Sequence, residues 1–437
     1  MDESNKPTES IADVAKRARV AGRSVAALSA EARNAILVAV GDAIEDNSPE
    51  IIAANRLDCD RAAGEVAAGR MSGAFFDRLQ TSERGVADMS AKVQAVSKLP
   101  DPLGQTLEET ELAEHLTLRK VSCPLGVIGI VFESRPDVVP QVSALCLKSG
   151  NAVILKGGRE AAETNSVLVS IWRATLVKFD VPVDVVNLVH TREDVNAMLE
   201  LRGMIDLVIP RGSKEFVNYI AAHSSIPVLG HGEGICHIYV DEAADLHKAW
   251  SIALDAKTNY PAACNAVETL LVHEKLATQF VPEMVSRFHA AGVEVRGCER
   301  TISLLHPGSV AAATDSDWSQ EYSDLIIALK LVGSFDEAVA HIDQYGSQHT
   351  EAIITENQAA AERFMNVVDA AGVYHNASTR FADGFRYGLG AEIGISTSKL
   401  HARGPVGLAG LVTYKYKLFG DGHTVGHSQE EATSHEI

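Results

Sequence analysis

The residue best suited to covalent chemistry is Cys264, which stands among small side chains in the stretch 258–273. A turn signal at 259–261 precedes it, and an apolar run that predicts a strand follows it. Small neighbours let a substrate carbonyl approach the sulfur, and a junction of loop and strand holds the sulfur on a rigid frame. Cys264 is therefore a candidate nucleophile. The alternative is a small buried side chain of the core, which free cysteine often is.

Composition limits the classes of function. With 437 residues the chain is too long for one ordinary core, which predicts two large lobes. Its 58 acidic and 39 basic residues give a net charge of −19, which argues against non-specific binding to nucleic acid or to an anionic membrane. No apolar run reaches the roughly 18 residues of a membrane span, and the polar N-terminus does not resemble a signal peptide. The six scattered cysteines predict reduced thiols and a cytoplasmic location.

Apolar periodicity predicts the elements that position the cysteine. The first hundred residues follow helical spacing; buried strands then alternate with helices, which predicts a doubly wound α/β domain with a mostly parallel sheet. The pattern begins again near Asp245 and predicts a second α/β lobe around Cys264. The predicted strands are 126–132, 152–155, 185–189, 205–209 and 226–229 in the first lobe, and 269–272, 325–331 and 352–355 in the second. Residues 116–121 and 411–419 alternate like exposed strands.

The first lobe holds a candidate nucleotide site, although no G-x-G-x-x-G fingerprint follows strand 126–132. Lys156, Gly157, Gly158 and Arg159 end the second strand, where a βαβ unit contacts the adenosine ribose of a dinucleotide. Two cations at this position favour a 2′-phosphate over a free hydroxyl, which predicts NADP(H) rather than NAD(H). The alternative is a surface pair of cations beside a turn.

Two further motifs are less specific. Gly212 and Ser213 open a helix, whose first N–H groups suit a pyrophosphate; the alternative is an ordinary cap by Ser213. The set of His231, Cys236 and His237 matches no closed zinc spacing, so no metal site is predicted. The sequence has no G-x-S-x-G motif for serine hydrolase chemistry.

The chain resembles the γ-glutamyl phosphate reductases, also called glutamate-5-semialdehyde dehydrogenases, a branch of the aldehyde dehydrogenase superfamily. The resemblance is spread over nearly the whole chain in the family's order. It is carried by PLGVIGIVFESRPDV (124–138), SGNAVILKGGREA (149–161), DLVIPRGS (206–213), LGHGEGICHIYVD (229–241), NYPAACNAVETLLVH (259–273) and GLGAEIGISTSKLHARGPVGL (388–408).

The resemblance implies an aldehyde dehydrogenase-like α/β fold: two doubly wound α/β lobes, one for the cofactor and one for catalysis, plus a small oligomerisation element. The implied domains are an NADP-binding domain at 1–104 and 123–257, a catalytic domain at 258–385 and an oligomerisation arm at 105–122 and 400–420. The polar composition of 421–437 predicts a disordered tail. A homo-oligomer is expected.

The resemblance also implies roles for single residues. Cys264 is the nucleophile. Lys156 and the turn 157–159 lie by the adenosine ribose, and Gly212 and Ser213 lie by the pyrophosphate. Glu321 holds the nicotinamide ribose, the alternative being a solvated carboxylate at the end of a strand.

Two departures from the wider superfamily bear on the chemistry. Oxidising members share a glutamate base in an E-L-G-G-K stretch, which activates water; here the stretch is Gly-His-Gly-Glu-Gly at 230–234, with glycine at the base position. The oxyanion asparagine after the first strand is replaced by Arg135. A guanidinium there would bind a phosphate or polarise an acyl carbonyl. An acyl phosphate reductase needs no activated water, so both departures favour that chemistry.

The resemblance implies NADPH-dependent reduction of L-glutamyl 5-phosphate to L-glutamate 5-semialdehyde and phosphate, the second step from glutamate to proline. A glutamate 5-kinase that supplies the substrate is the expected functional partner. Asn265 and Arg135 are candidate oxyanion donors, and the candidate substrate-binding cations are Arg135, Lys399, His401 and Arg403. The alternatives are another acylating aldehyde dehydrogenase, using coenzyme A or a different acyl phosphate, and an inactive oligomeric scaffold that retains nucleotide binding.

Overall fold

The computed structural model describes residues 10–425. These residues form two compact units. The first takes the described residues up to 211, then 223–228 and those from 407 onward; the second takes 212–222 and 229–406.

The helices begin where the sequence supplies caps. The side chain of Ser334, for example, accepts a hydrogen bond from the Glu337 N–H, as its spacing predicts. The helices are α1 Ile11–Ala26, α2 Ala30–Asp46, α3 Ser48–Ala67, α4 Gly73–Leu79, α5 Glu83–Ser97, α6 Val138–Lys148, α7 Ala162–Lys178, α8 Arg192–Glu200, α9 Lys214–His223, α10 Leu246–Thr258, α11 Ala277–Ala290, α12 Glu299–Ile302, α13 Phe335–Tyr345 and α14 Gln358–Val367.

Most of the buried strands follow the apolar runs of the sequence. The strands are β1 Thr106–Ala113, β2 Leu116–Pro124, β3 Val127–Phe132, β4 Ala152–Lys156, β5 Val186–Leu188, β6 Leu207–Arg211, β7 Cys236–Val240, β8 Val267–His273, β9 Glu294–Gly297, β10 Ala311–Ala312, β11 Ile326–Val332, β12 Thr350–Ile354, β13 Gly372–His375, β14 Ile395–Ser396, β15 Gly404–Pro405 and β16 Val412–Phe419.

The first unit contains a four-stranded parallel sheet in the order β5-β4-β3-β6. Every residue of β3 is buried, as expected of a strand covered on both faces. Four of the five strands predicted for this lobe are confirmed. The fifth, at 226–229, is wrong: Val228 forms only an isolated bridge with Val208. Pro227 lies between the predicted strand's ends, has no N–H to donate and so interrupts a ladder.

A separate three-stranded antiparallel sheet of the first unit has the order β1-β2-β16. The two stretches predicted as exposed strands, 116–121 and 411–419, pair with each other here in register from Val412 with Pro124 to Phe419 with Thr117. Most side chains of β1 and β16 are exposed. The use of this sheet as an oligomerisation arm stays a prediction.

The second unit contains a seven-stranded parallel sheet in the order β10-β9-β11-β8-β7-β12-β13. The sequence assigned residues up to 257 to the first domain, whereas β7 pairs with β8 and β12 in this sheet. The compact second unit accordingly takes 229–257. An apolar run predicts a strand buried on both faces, but not which sheet the strand joins.

Within residues 10–425 no single helix is long and apolar enough to cross a membrane; only α1 and α2 taken together, which meet at 116°, reach the length and apolar composition of such a span. Of the tail predicted to be disordered at 421–437, residues 426–437 lie outside the described residues.

A buried ion pair joins the last turn of α10 to the start of β8. Lys257 Nζ lies 2.6 Å from Glu268 Oε2, and the two side chains are 0% and 1% exposed. Lys257 Nζ also lies over the ring of Tyr322, 5.9 Å from its centroid. Burial raises the pKa of Glu268 to about 7, and the neighbouring ammonium group opposes the rise. Because both groups are removed from water, each needs the other as its counter-charge.

Replacing Lys257 by Met would leave the Glu268 carboxyl group buried without its counter-charge. We expect Lys257→Met to lower the free energy of unfolding by about 3–5 kcal/mol, measured by urea denaturation. The double variant Lys257→Met, Glu268→Leu removes both charges and should recover most of that loss.

The matched control is Lys248→Met. Lys248 Nζ lies 2.9 Å from Glu356 Oε1, with the side chains 51% and 48% exposed. An exposed pair contributes about 1 kcal/mol or less, so this loss should be small. Equal losses at the two lysines would contradict the assignment of the Lys257 pair as a structural tie.

Candidate active site

The cysteine loop, residues 259–266, connects α10 to β8 and carries Cys264. Two tight turns shape it: the Ala263 N–H donates to the Tyr260 carbonyl at 3.1 Å, and the Ala266 N–H donates to the Ala263 carbonyl at 2.9 Å. Tyr260 has a φ of 62°, a left-handed conformation that is unfavourable for a residue with a side chain. Cys264 therefore lies in the second of two successive turns, directly before a strand buried in the centre of the sheet.

The Cys264 thiol is held in its protonated form. Burial raises the pKa of Cys264 to about 12, and the carboxylates of Glu321 and Glu392 add to the rise, whereas the Arg380 guanidinium opposes it. The predicted residue Glu321 is thus close enough to Cys264 to interact with it electrostatically. Because the free thiol is almost entirely protonated at neutral pH, its proton must leave as the thiol reacts.

Two side-chain hydrogen bonds tie the cysteine loop to the segment after β13. Arg380 Nε donates to the carbonyl of Asn259, and Asn265 Nδ2 donates to the carbonyl of Ala382 at 2.8 Å. Oδ1 of Asn265 is buried and has no hydrogen-bond partner among residues 10–425. One amide hydrogen of Asn265 is therefore committed to the backbone, and its role as an oxyanion donor stays a prediction.

The glycine-rich segment before β7 packs against the backbone of the nucleophile. A Cβ atom added to Gly234 would lie 1.9 Å from the Cys264 carbonyl oxygen. The Cys236 thiol donates to the same carbonyl, with Sγ 3.4 Å from the oxygen. The carboxylate of Glu233 is paired with Lys214. The segment therefore presents backbone, rather than an unpaired carboxylate, to the cysteine.

Two histidines lie beside the thiol. One nitrogen each of His231 and His349 and the Sγ of Cys264 all lie within 4.8 Å of one another. His231 Nδ1 lies 3.0 Å from the carbonyl oxygen of Ile395. Burial lowers the pKa of His349 to about 3, with a smaller contribution from His231, so His349 is neutral.

The sequence did not identify His349 as a site residue, because nothing in its local stretch distinguishes it from a core histidine. The three residues considered together from the sequence, His231, Cys236 and His237, do not form one cluster. His237 Nδ1 instead lies 3.0 Å from Glu351 Oε2 in a separate, fully buried pair. His231 does belong to the site, but its neighbours there, Cys264 and His349, come from other segments that the fold brings together.

A polar cavity of about 240 Å³ lies in the second unit. It is lined by Lys214, Asn218, Gly232, Glu233, Ser347 and Thr397. Four of these residues are within two positions of His231, His349 or Ile395 in the sequence. The cavity therefore offers hydrogen-bonding side chains from the same segments that position the two histidines.

In the first unit, the cations predicted to contact a cofactor share one cluster. Burial lowers the pKa of Lys156, with Glu160 opposing the shift and Arg192 and Arg159 adding to it. Arg192, at the start of α8, was not singled out by the sequence. Lys156 is half-buried and Arg159 is exposed. The cluster places three positive charges around the carboxyl end of β4.

The diglycine turn after β4 is closely packed on one side. A Cβ atom on Gly157 would lie 2.1 Å from Asn165 Nδ2, and one on Gly158 would lie 1.8 Å from Glu160 Oε1. Asn165 Oδ1 is buried and has no hydrogen-bond partner in the described part of the chain. The Glu160 carboxylate accepts a hydrogen bond from the Ser134 N–H at 2.7 Å. A side chain at either glycine would have to displace Asn165 or Glu160, and without one the backbone of the turn is bare enough for a ligand to approach closely.

Of the other predicted residues, Arg135 is exposed in the first unit and pairs with Asp137, Nη2 to Oδ2 at 3.2 Å. Gly212 and Ser213 lie in the second unit at the start of α9. The Ser213 side chain accepts a hydrogen bond from the Phe216 N–H at 3.4 Å, as a helix cap does. Their contact with a pyrophosphate stays a prediction.

The candidate substrate cations near the end of the second unit have a carboxylate partner. Lys399 and Arg403 both pair with Asp369, Arg403 Nη2 at 2.9 Å. These contacts lower the pKa of Asp369. His401 is exposed. The three residues share one segment, while their role in binding substrate stays a prediction.

Gly234→Ala tests the contact between the glycine-rich segment and the nucleophile. The new methyl group has no room beside the Cys264 carbonyl, so we expect a loss of about 1–3 kcal/mol in the free energy of unfolding, and an altered rate of alkylation at Cys264. The control is Gly333→Ala, whose Cβ would lie 3.4 Å from its nearest neighbour, the end of the Glu337 side chain. If both variants were as stable and as reactive as the parent, the packing described here would be incorrect.

The chain was compared with known families and proteins. The profile of the aldehyde dehydrogenase family matches residues 3–299. A gamma-glutamyl phosphate reductase of Synechococcus sp. (strain JA-3-3Ab) is 52% identical over 409 residues, which cover 93% of this chain and 90% of that protein. One from Haloquadratum walsbyi is also 52% identical, over 414 residues, 93% of this chain and 90% of the relative.

A solved structure shows the same architecture. The gamma-glutamyl phosphate reductase of Thermotoga maritima superimposes with a TM-score of 0.92 at 40% identity, covering 95% of this chain and 100% of that one. The predicted fold class, an aldehyde dehydrogenase-like α/β fold, is confirmed. By its sequence and its fold, the chain is an oxidoreductase that belongs to the aldehyde dehydrogenase family and, within it, to the gamma-glutamyl phosphate reductases.

Proposed function

We propose that the enzyme reduces L-glutamyl 5-phosphate to L-glutamate 5-semialdehyde and phosphate with NADPH, through an acyl group carried on Cys264. The observation that carries this proposal is the match at 52% identity, over 93% of the chain, to enzymes named for this reaction. The geometry of the cysteine loop supports it. A glutamate 5-kinase that makes the unstable acyl phosphate is the proposed functional partner.

In the proposed first step, the Cys264 sulfur attacks the acyl carbon of the substrate. The C–S bond forms, the C–O bond to phosphate breaks, and the thiol proton leaves while phosphate takes the bonding electron pair. Backbone N–H groups of the cysteine loop, with Asn265 or Arg135, would stabilise the oxyanion. Since an acyl phosphate is an activated acyl donor, the protonated resting thiol is compatible with this chemistry.

The glycine-rich segment supports phosphate, rather than water, as the partner of the acyl group. Gly234 is pressed against the Cys264 carbonyl, and the neighbouring Glu233 is paired with Lys214. An enzyme that oxidises aldehydes needs a carboxylate base in this segment to activate water. The resemblance places that base at Gly230, and the one carboxylate of the segment, Glu233, is paired. A thioester sheltered from water persists until it is reduced.

Members of this family use a nicotinamide cofactor, and the residues at the end of β4 suit one that carries a 2′-phosphate. The cations Lys156, Arg159 and Arg192 would bind that phosphate, and the bare turn at 157–158 would let the ribose approach. Gly212 and Ser213 would contact the pyrophosphate, and Glu321 the nicotinamide ribose. When bound, the reduced cofactor supplies hydride to the thioester carbon.

The substrate's remaining charges need cations. Arg135, Lys399, His401 and Arg403 are proposed to bind the phosphate and the α-carboxylate. Arg135, Lys399 and Arg403 already have carboxylate partners, Asp137 and Asp369. When an anionic substrate binds, its own anionic groups would replace these carboxylates as partners of the cations. This exchange favours polyanionic ligands over neutral ones.

Cys264→Ser tests the nucleophile, because an alcohol forms no thioester and is a far weaker nucleophile at neutral pH. We expect NADPH oxidation, coupled to a glutamate kinase that supplies the acyl phosphate, to fall at least about a thousandfold. Cys59→Ser, which changes a partly buried cysteine of the first unit, should keep the parental rate. Near-normal turnover by Cys264→Ser would refute the mechanism, while turnover by the parent with acyl-coenzyme A alone would redirect the substrate assignment.

The cation cluster at β4 should determine the preference between NADPH and NADH. Arg159→Ala and Arg192→Ala each remove a charged donor from the expected 2′-phosphate site, so kcat/KM with NADPH should fall about tenfold to a hundredfold. The kcat/KM with NADH, which has no such phosphate, should change little. Parallel losses with both cofactors, or a parent enzyme that prefers NADH, would contradict the assignment.

A further inference from the structure

One carboxylate joins the two loops that follow neighbouring strands of the four-stranded sheet. Glu160 follows β4, and its Oε1 accepts a hydrogen bond at 2.7 Å from the N–H of Ser134, which follows β3. The two strands pair directly and in parallel. The loops therefore lie side by side at the carboxyl ends of the strands, where a doubly wound sheet binds its ligands.

The N–H of Ser134 needs this acceptor. The ladder between β3 and β6 ends one residue earlier, where the Glu133 N–H donates to the Arg211 carbonyl at 3.1 Å. Ser134 is 1% exposed, so its N–H is shielded from bulk water, and a buried N–H without an acceptor is strongly unfavourable. Glu160 supplies, from another loop, the partner that the sheet no longer provides.

The same hydrogen bond holds Ser134 in an uncommon backbone conformation. Its φ is 41°, in the left-handed region that favours glycine. The Ser134 hydroxyl donates in turn to the carbonyl of Phe75 at 3.0 Å. Two hydrogen bonds, one from the backbone and one from the side chain, thus stabilise a residue that would otherwise relax to a different φ.

The backbone of Ser134 sets the direction of the next residue, Arg135, which is a proposed ligand of the substrate's phosphate. The Arg135 carbonyl accepts a hydrogen bond from the Val138 N–H at 3.1 Å, in the turn that leads into α6. The Arg135 guanidinium is exposed and pairs with Asp137. Because an exposed side chain has few contacts of its own, the backbone from which Arg135 extends decides which space its guanidinium can reach.

The Glu160 carboxylate is held in turn by the diglycine turn. A Cβ atom on Gly158 would lie 1.8 Å from Glu160 Oε1 and 2.5 Å from Oε2, so the turn packs directly against both oxygens. The charge of Glu160 also opposes the lowering of the Lys156 pKa that burial causes. Glu160 therefore contacts the turn proposed for the cofactor on one side and the backbone that precedes Arg135 on the other.

The opposite end of β3 offers a structural comparison. There the Val127 N–H donates to Asp206 Oδ2 at 2.8 Å. The bond is of the same kind, a carboxylate that satisfies an N–H at the end of a strand, but it lies at the amino ends of the strands, away from where such sheets bind ligands. Asp206 should contribute to stability alone, which makes it the matched control for Glu160.

We propose that Glu160 is a positioning residue of this enzyme: it fixes the backbone at Ser134 and thereby directs Arg135 to the phosphate of the substrate. Because the contact is a hydrogen bond to a neutral N–H, the position requires an acceptor oxygen of the right reach more than it requires a negative charge. The inference rests on the proposed function, in which Arg135 binds that phosphate, and it adds the residue through which the loop after β4 acts on Arg135.

Two substitutions separate reach from charge. Glu160→Gln keeps an oxygen at the same reach and loses the charge, whereas Glu160→Asp keeps the charge and shortens the side chain. The assay is the reverse reaction with L-glutamate 5-semialdehyde, NADP⁺ and inorganic phosphate, in which phosphate can be varied alone. We expect Glu160→Asp to lower kcat/KM for phosphate about tenfold and, since the charge beside Lys156 remains, to leave KM for NADP⁺ within about twofold. Glu160→Gln should keep kcat/KM for phosphate within about threefold of the parent.

A double variant tests whether Glu160 acts through Arg135. Arg135→Ala should by itself lower kcat/KM for phosphate at least about tenfold, and the addition of Glu160→Asp should lower it by less than about a further twofold. The control Asp206→Ala should lower the melting temperature and leave kcat/KM for phosphate within about twofold.

Hydrogen exchange supplies a readout that needs no turnover. The Ser134 amide should exchange faster in Glu160→Asp than in the parent or in Glu160→Gln. Circular dichroism checks that each variant is folded. Should Glu160→Asp fail to fold, Glu160→Met, which keeps the length and offers no oxygen, replaces it with the same expected loss.

Four results would each overturn the inference: parental kcat/KM for phosphate in Glu160→Asp, equal losses in Glu160→Asp and Glu160→Gln, losses that multiply in the double variant, or an equal loss in Asp206→Ala. A parent without phosphate-dependent reduction of NADP⁺ would instead refute the proposed function. Arg135→Ala with parental kinetics would remove Arg135 from the proposed function, and this inference with it.

Discussion

The active-site architecture depends on the buried ion pair between Lys257 and Glu268. The first residue lies in the last turn of α10 and the second near the start of β8, so their contact joins the chain just before and just after the cysteine loop. Arg380 and Asn265 add ties along the loop to neighbouring carbonyls. A loop rich in small side chains has little packing of its own. These contacts supply the rigidity that the loop's composition cannot.

The same burial that orders the site also sets its reactivity. A thiol with a pKa near 12 is a poor nucleophile toward ordinary electrophiles in the resting enzyme. It becomes useful only with an acyl donor that carries its own good leaving group, such as a phosphate. The raised pKa therefore contributes selectivity: a protonated thiol reacts slowly with oxidants and with weak acyl donors, while it stays competent toward an activated substrate.

Much of the fold was predictable because its signals are local. Continuous apolar runs predicted β3, β4, β8, β11 and β12, and a capping serine predicted the start of α13. The strand at 226–229 failed for an equally local reason, the proline at 227. The sheet joined by β7 was not predictable, since a buried strand has the same composition in either sheet.

The site was predictable only where one segment carried the chemistry. Cys264 and the basic diglycine turn stand out in their own stretches. His349, Arg192 and Arg380 do not, because each contributes through neighbours brought to it from elsewhere in the chain. Long-range pairing of parallel strands creates such groupings, and a single sequence does not reveal which distant residues meet.

The close approach of Gly234 to the nucleophile has an evolutionary consequence. A side chain at this position would collide with the Cys264 carbonyl, so no substitution fits there unless the backbone of the nucleophile also moves. That carbonyl takes no part in the proposed chemistry, yet its position fixes where the neighbouring sulfur lies. Position 234 is therefore restricted by sterics rather than by a chemical role of its own.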